Sequence, residues 1–107
     1  MAMSPTLDIL ESTISTRRHG DPTTSYIAKL TTAGRAKIAQ KIGEEAVETV
    51  IAAMAGSKTD VTNEAADLMF HLAILLADMD LSFADVFAEL DRRTGVSGLE
   101  EKAGRPS

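Results

Sequence analysis

The sequence predicts an all-α fold, an antiparallel helical bundle of about four main helices, and three observations carry that reading. Apolar residues recur at helical spacing through long stretches, as in Leu7, Leu10 and Ile14, and again from Ile38 to Met54. Strand signals are missing: no stretch alternates for long, there is one tyrosine, and the β-branched residues are scattered. The connections are short. Gly56-Ser57-Lys58-Thr59 leaves two long helices no choice but to pack antiparallel.

Each element has its own justification. A first helix runs from about Thr6 to Arg18, because Ser4-Pro5 suits a helix start and His19-Gly20-Asp21-Pro22 a stop. A short turn of helix begins at Ser25 and carries Tyr26, Ile27 and Leu30. The second long helix spans roughly Arg35 to Ala55, entered through Gly34 and ended at Gly56, and the third covers roughly Asp60 to Asp78. Ser82-Phe83-Ala84-Asp85 resembles a capping box and opens a fourth helix that ends before Gly95. Gly95, Gly98, Gly104 and Pro106 predict an irregular tail. With no repeat, linker or low-complexity tract, the 107 residues read as one domain, 1–107.

Composition excludes several classes. A net charge of −5 argues against a general nucleic-acid binder. The absence of cysteine removes disulfides, a thiolate nucleophile and Cys-based zinc sites. Met1-Ala2-Met3-Ser4-Pro5 lacks the basic and apolar runs of a secretory signal. The apolar stretch from Leu68 to Leu76 is too short and too interrupted for a membrane span. A cytoplasmic protein with neither nucleic-acid nor membrane partners is the expectation.

Two acidic clusters stand out in otherwise apolar helices: Glu44-Glu45-Ala46-Val47-Glu48 and Glu64-Ala65-Ala66-Asp67. At about 100° per residue, Glu44, Glu45 and Glu48 fall within roughly a 100° arc, and Glu64 and Asp67 lie about 60° apart. Like charges at these spacings repel, and holding them against a core is costlier still unless cations neutralise them. Antiparallel packing brings the clusters to comparable heights, within roughly a turn or two. Two facing carboxylate stripes make a plausible cage for a hard divalent ion such as Mg²⁺, which prefers oxygen ligands. Either string alone is usually a surface feature; the pair on consecutive apolar helices is not.

The neighbours sharpen this. Lys37 and Lys41 precede Glu44 on the same stripe, which Ile38, Ile42, Val47, Val50, Ile51 and Met54 hem in. Between Ala65 and Ala77 only Asp67 and His71 are polar, so the third long helix reads as buried. His71 is expected to be a hydrogen-bonded core or interface residue rather than a ligand. Met69, Phe70 and Met79 are expected to fill core.

The motif E-E-x-x-E, fifteen residues, then E-x-x-D resembles the metal-binding signature of the all-α nucleoside-triphosphate pyrophosphohydrolases, the MazG-like superfamily. Within it the chain is similar to the phosphoribosyl-ATP pyrophosphohydrolases of histidine biosynthesis. The stretches that carry the likeness are Ser25-Tyr26 with Lys29, Lys37 to Glu48, Asn63 to Leu72, and Ser97-Gly98-Leu99-Glu100-Glu101-Lys102-Ala103-Gly104-Arg105. Phe70 and Gly104 depart from the expected Tyr and Ser, and neither is a proposed ligand.

The resemblance implies Mg²⁺-dependent hydrolysis of the α–β phosphoanhydride of 1-(5-phosphoribosyl)-ATP, giving phosphoribosyl-AMP and pyrophosphate. It implies Glu45, Glu48, Glu64 and Asp67 as metal ligands. Glu44 becomes a further ligand or the group orienting the water, and Glu44 and Glu45 are the candidate catalytic carboxylates. Lys37 and Lys41, then Lys29, Lys102 and Arg105, are candidates for substrate phosphate. A homodimer is expected, with each subunit contributing to the other's site. Two rivals remain open from sequence: a house-cleaning pyrophosphatase acting on (deoxy)nucleoside triphosphates, and a non-enzymatic helical interaction module. A di-iron bundle is a poor fit, since Glu-x-x-His pairs are missing.

Overall fold

Local chemistry sets the ends of five helices in the computed structural model, which describes residues 4–94. They are α1 (Pro5–Arg17), α2 (Tyr26–Ala33), α3 (Arg35–Ala55), α4 (Lys58–Asp78) and α5 (Phe83–Arg93), and no strand occurs among the described residues. Proline opens α1, where its missing N–H is no loss. Ser25 caps α2, its Oγ accepting from the Ala28 N–H at 3.2 Å. What the sequence offered as a short turn is therefore a full helix of eight residues, which raises the count to five. Gly34 ends α2 and starts α3 at φ 104°, a left-handed conformation that side chains with a Cβ rarely adopt.

The α3–α4 connection is tighter than the sequence suggested. Ser57 and Asp60 form a reciprocal capping box, with Asp60 N–H donating to Ser57 Oγ at 3.2 Å and Ser57 N–H to Asp60 Oδ2 at 3.0 Å. Helix α4 accordingly starts at Lys58 rather than near Asp60. Gly56 is required by space: a Cβ there would lie 2.9 Å from the Ala52 carbonyl oxygen and 2.8 Å from Asp60 Oδ2. In α5 the expected Ser82–Asp85 pairing is present, the Ser82 N–H donating to Asp85 Oδ2 at 2.9 Å. Glu11 of α1 accepts from the Phe83 N–H at 3.0 Å and ties α5 back to α1.

The core joins α1, α2, the first half of α3, the second half of α4 and the start of α5. Ile14, Ile27, Leu30, Ile38, Ala73, Ile74, Leu76 and Phe83 form it, with Leu10, Ile42, Phe70 and Leu72 packed alongside. Ile14, Ile38 and Ile74 are almost wholly buried; truncating one to alanine costs about 2–5 kcal/mol. The hairpin of α3 and α4 runs on past this core. There Val47, Val50, Ile51 and Met54 are exposed, so the aliphatics expected to hem the acidic stripe face outward instead. Met69 and Met79 are exposed too, at 44% and 46%, and not core filling. Met69 shares a face with Ala73 and Leu76 but lies a turn nearer the hairpin end, where no described helix covers it. Met79 sits at the C-cap of α4, where the helix has stopped. For the same reason only the second half of α4 is buried. Phe70 and His71 lie where the core begins, as expected of them. No described helix is long and apolar enough to cross a membrane.

Candidate metal centre

The hairpin register brings the two acidic clusters together. A cleft of about 320 Å³ is lined by Glu48, Ile51, Ala52 and Gly56 from α3 and its end, and by Asp60 and Glu64 from α4. Glu45, Glu48 and Glu64 each offer one carboxylate oxygen, and these three oxygens lie within 4.8 Å of one another. Glu45 is only 8% exposed. Glu45 Oε2 and Glu64 Oε2 are both buried without a hydrogen-bond partner. The described ion pairs, Arg35–Asp78, Lys41–Glu44 and Glu89 with Arg92 and Arg93, leave all three acids out.

Unpaired buried carboxylates are expensive, so this arrangement calls for a positive charge. Glu64 shows the strain directly. The neighbouring Glu48 carboxyl group, with which only a protonated acid can hydrogen-bond, then burial, then the charges of Glu48, Glu45 and Asp67, push its carboxyl above the ordinary value. A carboxyl pushed up in this way is the response expected of an acid that lacks a compensating cation. A solvated acidic face would show neither the burial of Glu45 nor the two orphaned oxygens. The donor set, all carboxylate, fits a hard oxygen-seeking ion.

The other expected site residues fall in three places. Asp67 is exposed and outside the group of three oxygens, although its charge reaches Glu64. Glu44 turns away from the cluster and accepts from Gln40 Nε2 at 2.8 Å and Lys41 Nζ at 3.2 Å. The Gln40 bond, then Lys41, hold the Glu44 carboxyl below its usual range, while the same Glu44 contact pushes the Lys41 ammonium up. Lys37 is exposed on α3, close enough for its charge to act on Glu44. Lys29 is exposed on α2, beside Tyr26 on a cavity of about 540 Å³. Lys102 and Arg105 lie outside the described residues.

One partnership has no direct signature in the sequence pattern. Tyr26 Oη lies 2.8 Å from His71 Nε2, and His71 Nδ1 lies 2.7 Å from the Asp67 carbonyl oxygen. A carbonyl only accepts, so Nδ1 carries a proton and donates, and in that tautomer Nε2 accepts from the Tyr26 hydroxyl. His71 is thus the hydrogen-bonded interior histidine the sequence implied, 5% exposed. Burial first, opposed by Lys41 and reinforced by Glu45, Glu44 and Asp67, pushes the Tyr26 hydroxyl up, which puts it within electrostatic reach of the acids. The available signal was that the chain's one tyrosine directly follows a helix-capping serine.

Comparison with known proteins points the same way. Residues 7–94 match the family model described as phosphoribosyl-ATP pyrophosphohydrolase. The chain is 67% identical over 104 residues to the phosphoribosyl-ATP pyrophosphatase of Rhizorhabdus wittichii, covering 97% of this chain and 98% of that one. It is 60% identical over 96 residues to the protein so named in Novosphingobium aromaticivorans, covering 90% of each. Against that of Zymomonas mobilis it is 59% identical over 101 residues, covering 94% of each.

Proposed function

The chain belongs to the phosphoribosyl-ATP pyrophosphohydrolase family, and from that premise we propose that Glu45, Glu48 and Glu64, joined by Asp67, hold Mg²⁺ for its reaction. The chain is a phosphoanhydride hydrolase. It converts 1-(5-phosphoribosyl)-ATP to 1-(5-phosphoribosyl)-AMP and pyrophosphate, a step of histidine biosynthesis. One water is consumed, its oxygen forming the new bond to phosphorus as the α–β anhydride bond breaks. The observation that carries the metal reading is the pair of buried, unpartnered oxygens on Glu45 and Glu64 beside Glu48.

Glu45, Glu48, Glu64 and Asp67 would hold the Mg²⁺, which would supply positive charge against that developing on the pyrophosphate leaving group and Lewis acidity toward water. The chain's own residues do the rest. In this reading Lys41 and Lys37, which precede Glu44 on α3 and act on it by their charge, meet the polyphosphate as point charges. When phosphate takes Lys41, Glu44 loses one of the two partners that draw it aside, and in this reading its ionised carboxylate then turns to orient the attacking water.

The exposed aliphatic face of α3, Val47, Val50, Ile51 and Met54, adjoins Glu48. We read it as the surface where a second copy docks, because covering it would also shut water out of the carboxylate cleft. The enzyme acts in the cytoplasm, with its nucleotide substrate. The test is pyrophosphate release from phosphoribosyl-ATP with Mg²⁺ and after exhaustive chelation. Release only with the ion supports the reading, and full activity under chelation ends it.

A further inference from the structure

A second cavity, of about 670 Å³, opens on the other flank of Tyr26. Its lining includes Thr13, Thr16, Arg17, Thr24, Tyr26 and Phe70. Phe70 follows Glu64 along α4 by about 9 Å of helical rise and Asp67 by about 4.5 Å, so this cavity lies beyond the carboxylates on the side of the core. The rings of Tyr26 and Phe70 are stacked, with centroids 6.2 Å apart and planes at 17°. His71 stands edge-on to both and anchors the Tyr26 hydroxyl at 2.8 Å, so this aromatic wall is fixed in place. The Arg17 guanidinium has no ion pair or hydrogen bond among the described residues. The acid in the same lining, Asp21, is occupied: its Oδ1 accepts from the Thr23 N–H at 2.9 Å and the Thr23 hydroxyl at 2.8 Å. A volume of this size suits a nucleotide-sized ligand.

We propose that this cleft binds the far end of the substrate, with Tyr26 and Phe70 against the purine and Arg17 on the phosphate of the base-linked ribose. The chemistry of each wall fits its share. Aromatic faces take a base irrespective of its edge groups. The threonine hydroxyls suit ribose, and a free guanidinium suits a terminal phosphate. That phosphate gains from standing away from Glu45, Glu48 and Glu64, which repel it. Arg17 is then the residue that tells phosphoribosyl-ATP from ATP, since ATP lacks the second phosphoribosyl group. This assignment rests on the reading of the chain as a phosphoribosyl-ATP hydrolase.

The test uses the full chain, and its binding arm is run under chelation so that the metal plays no part. Titration calorimetry compares the product phosphoribosyl-AMP with AMP on wild type and on Arg17→Ala, whose melting should match wild type because Arg17 is exposed. The variant should lose about 10- to 100-fold in affinity for phosphoribosyl-AMP, the range of one charge-assisted hydrogen bond, and nothing for AMP. KM for phosphoribosyl-ATP should rise by a similar factor with kcat nearly unchanged. Equal affinity of both proteins for phosphoribosyl-AMP, or equal losses for both ligands, overturns the subsite while leaving the hydrolase reading intact. A wild type that does not hydrolyse phosphoribosyl-ATP takes both down.

Discussion

Replacing Glu48 by glutamine exchanges one anionic oxygen for an amide at nearly constant volume, on an exposed side chain whose removal from the cluster disturbs no core contact. Glu48 supplies one of three oxygens within 4.8 Å. Groups one step removed from a metal typically contribute 10–100-fold to affinity, so a direct ligand should contribute about 100-fold or more. At Mg²⁺ equal to a hundred times the wild-type Kd, wild type gains about 2.7 kcal/mol by mass action. A variant bound 100-fold more weakly gains only about 0.4 kcal/mol under the same conditions. For a domain of this size the gap corresponds to roughly 10–18 °C in the Mg²⁺-induced shift of Tm, with protein concentration held constant. Without the ion the variant should melt no lower than wild type, because a repelling charge has gone. Hydrolysis should fall by about 100-fold or more. Superimposable melting curves with and without Mg²⁺, together with equal turnover, would refute the assignment of Glu48 as a ligand.

Lys41→Ala should raise KM or lower kcat while the Mg²⁺ shift in Tm is kept; unchanged kinetics would return Lys41 to an ordinary helix face. For Glu64 the sign follows from its carboxyl lying above 4.5 in the fold. The metal-free fold retains a proton that the unfolded chain has released, so its stability should decline as pH rises from about the unfolded value through the raised one. Mg²⁺ has to displace that proton, so its affinity, measured by calorimetry, should weaken as pH falls into the same window and not only below 4.5. A pH-independent affinity across that window contradicts the shared proton. Val50→Glu places a charge in the exposed α3 face and should shift the protein toward monomer in light scattering with its helicity retained; an unaltered oligomeric state argues for a different interface. Ser57→Ala removes half of a capping box and should cost about 1 kcal/mol, roughly 4–8 °C, without moving KM.

Much of this was legible in the sequence because the relevant signals are local. Pro5, Gly34, Gly56 and the Ser82–Asp85 box mark helix ends through φ preferences and short-range hydrogen bonds, which need no tertiary information. The acidic spacing likewise specifies which helix faces carry Glu45, Glu48 and Glu64, again without tertiary information. Tertiary cover is what periodicity does not contain. Val47, Val50 and Met54 have the pattern of a buried stripe, but whether a helix lies over them depends on how far α1 and α2 reach along the hairpin. Met69 fails for the same reason, one turn short of the core. Within the site, helical projection placed Glu44 with Glu45; it did not show that Gln40 and Lys41 draw Glu44 aside while Glu45 turns inward. The Tyr26–His71 bond joins residues far apart in the chain, and only the packing of α2 on α4 creates it.

The closeness in sequence of Glu45, Glu48 and Glu64 also bears on how the chain folds. All three sit on a single hairpin pivoting at Gly56-Ser57, so the loop that must close to bring them together is short, and its entropic penalty grows only logarithmically with length. Low contact order of this kind favours rapid formation, so the carboxylates should come next to each other before α1 or α5 docks. Repulsion among them then opposes the nucleus itself. Mg²⁺ should therefore act chiefly on the folding limb of a chevron plot, speeding refolding more than it slows unfolding. An effect confined to the unfolding limb would mean that the carboxylates meet only after the rest of the bundle is in place.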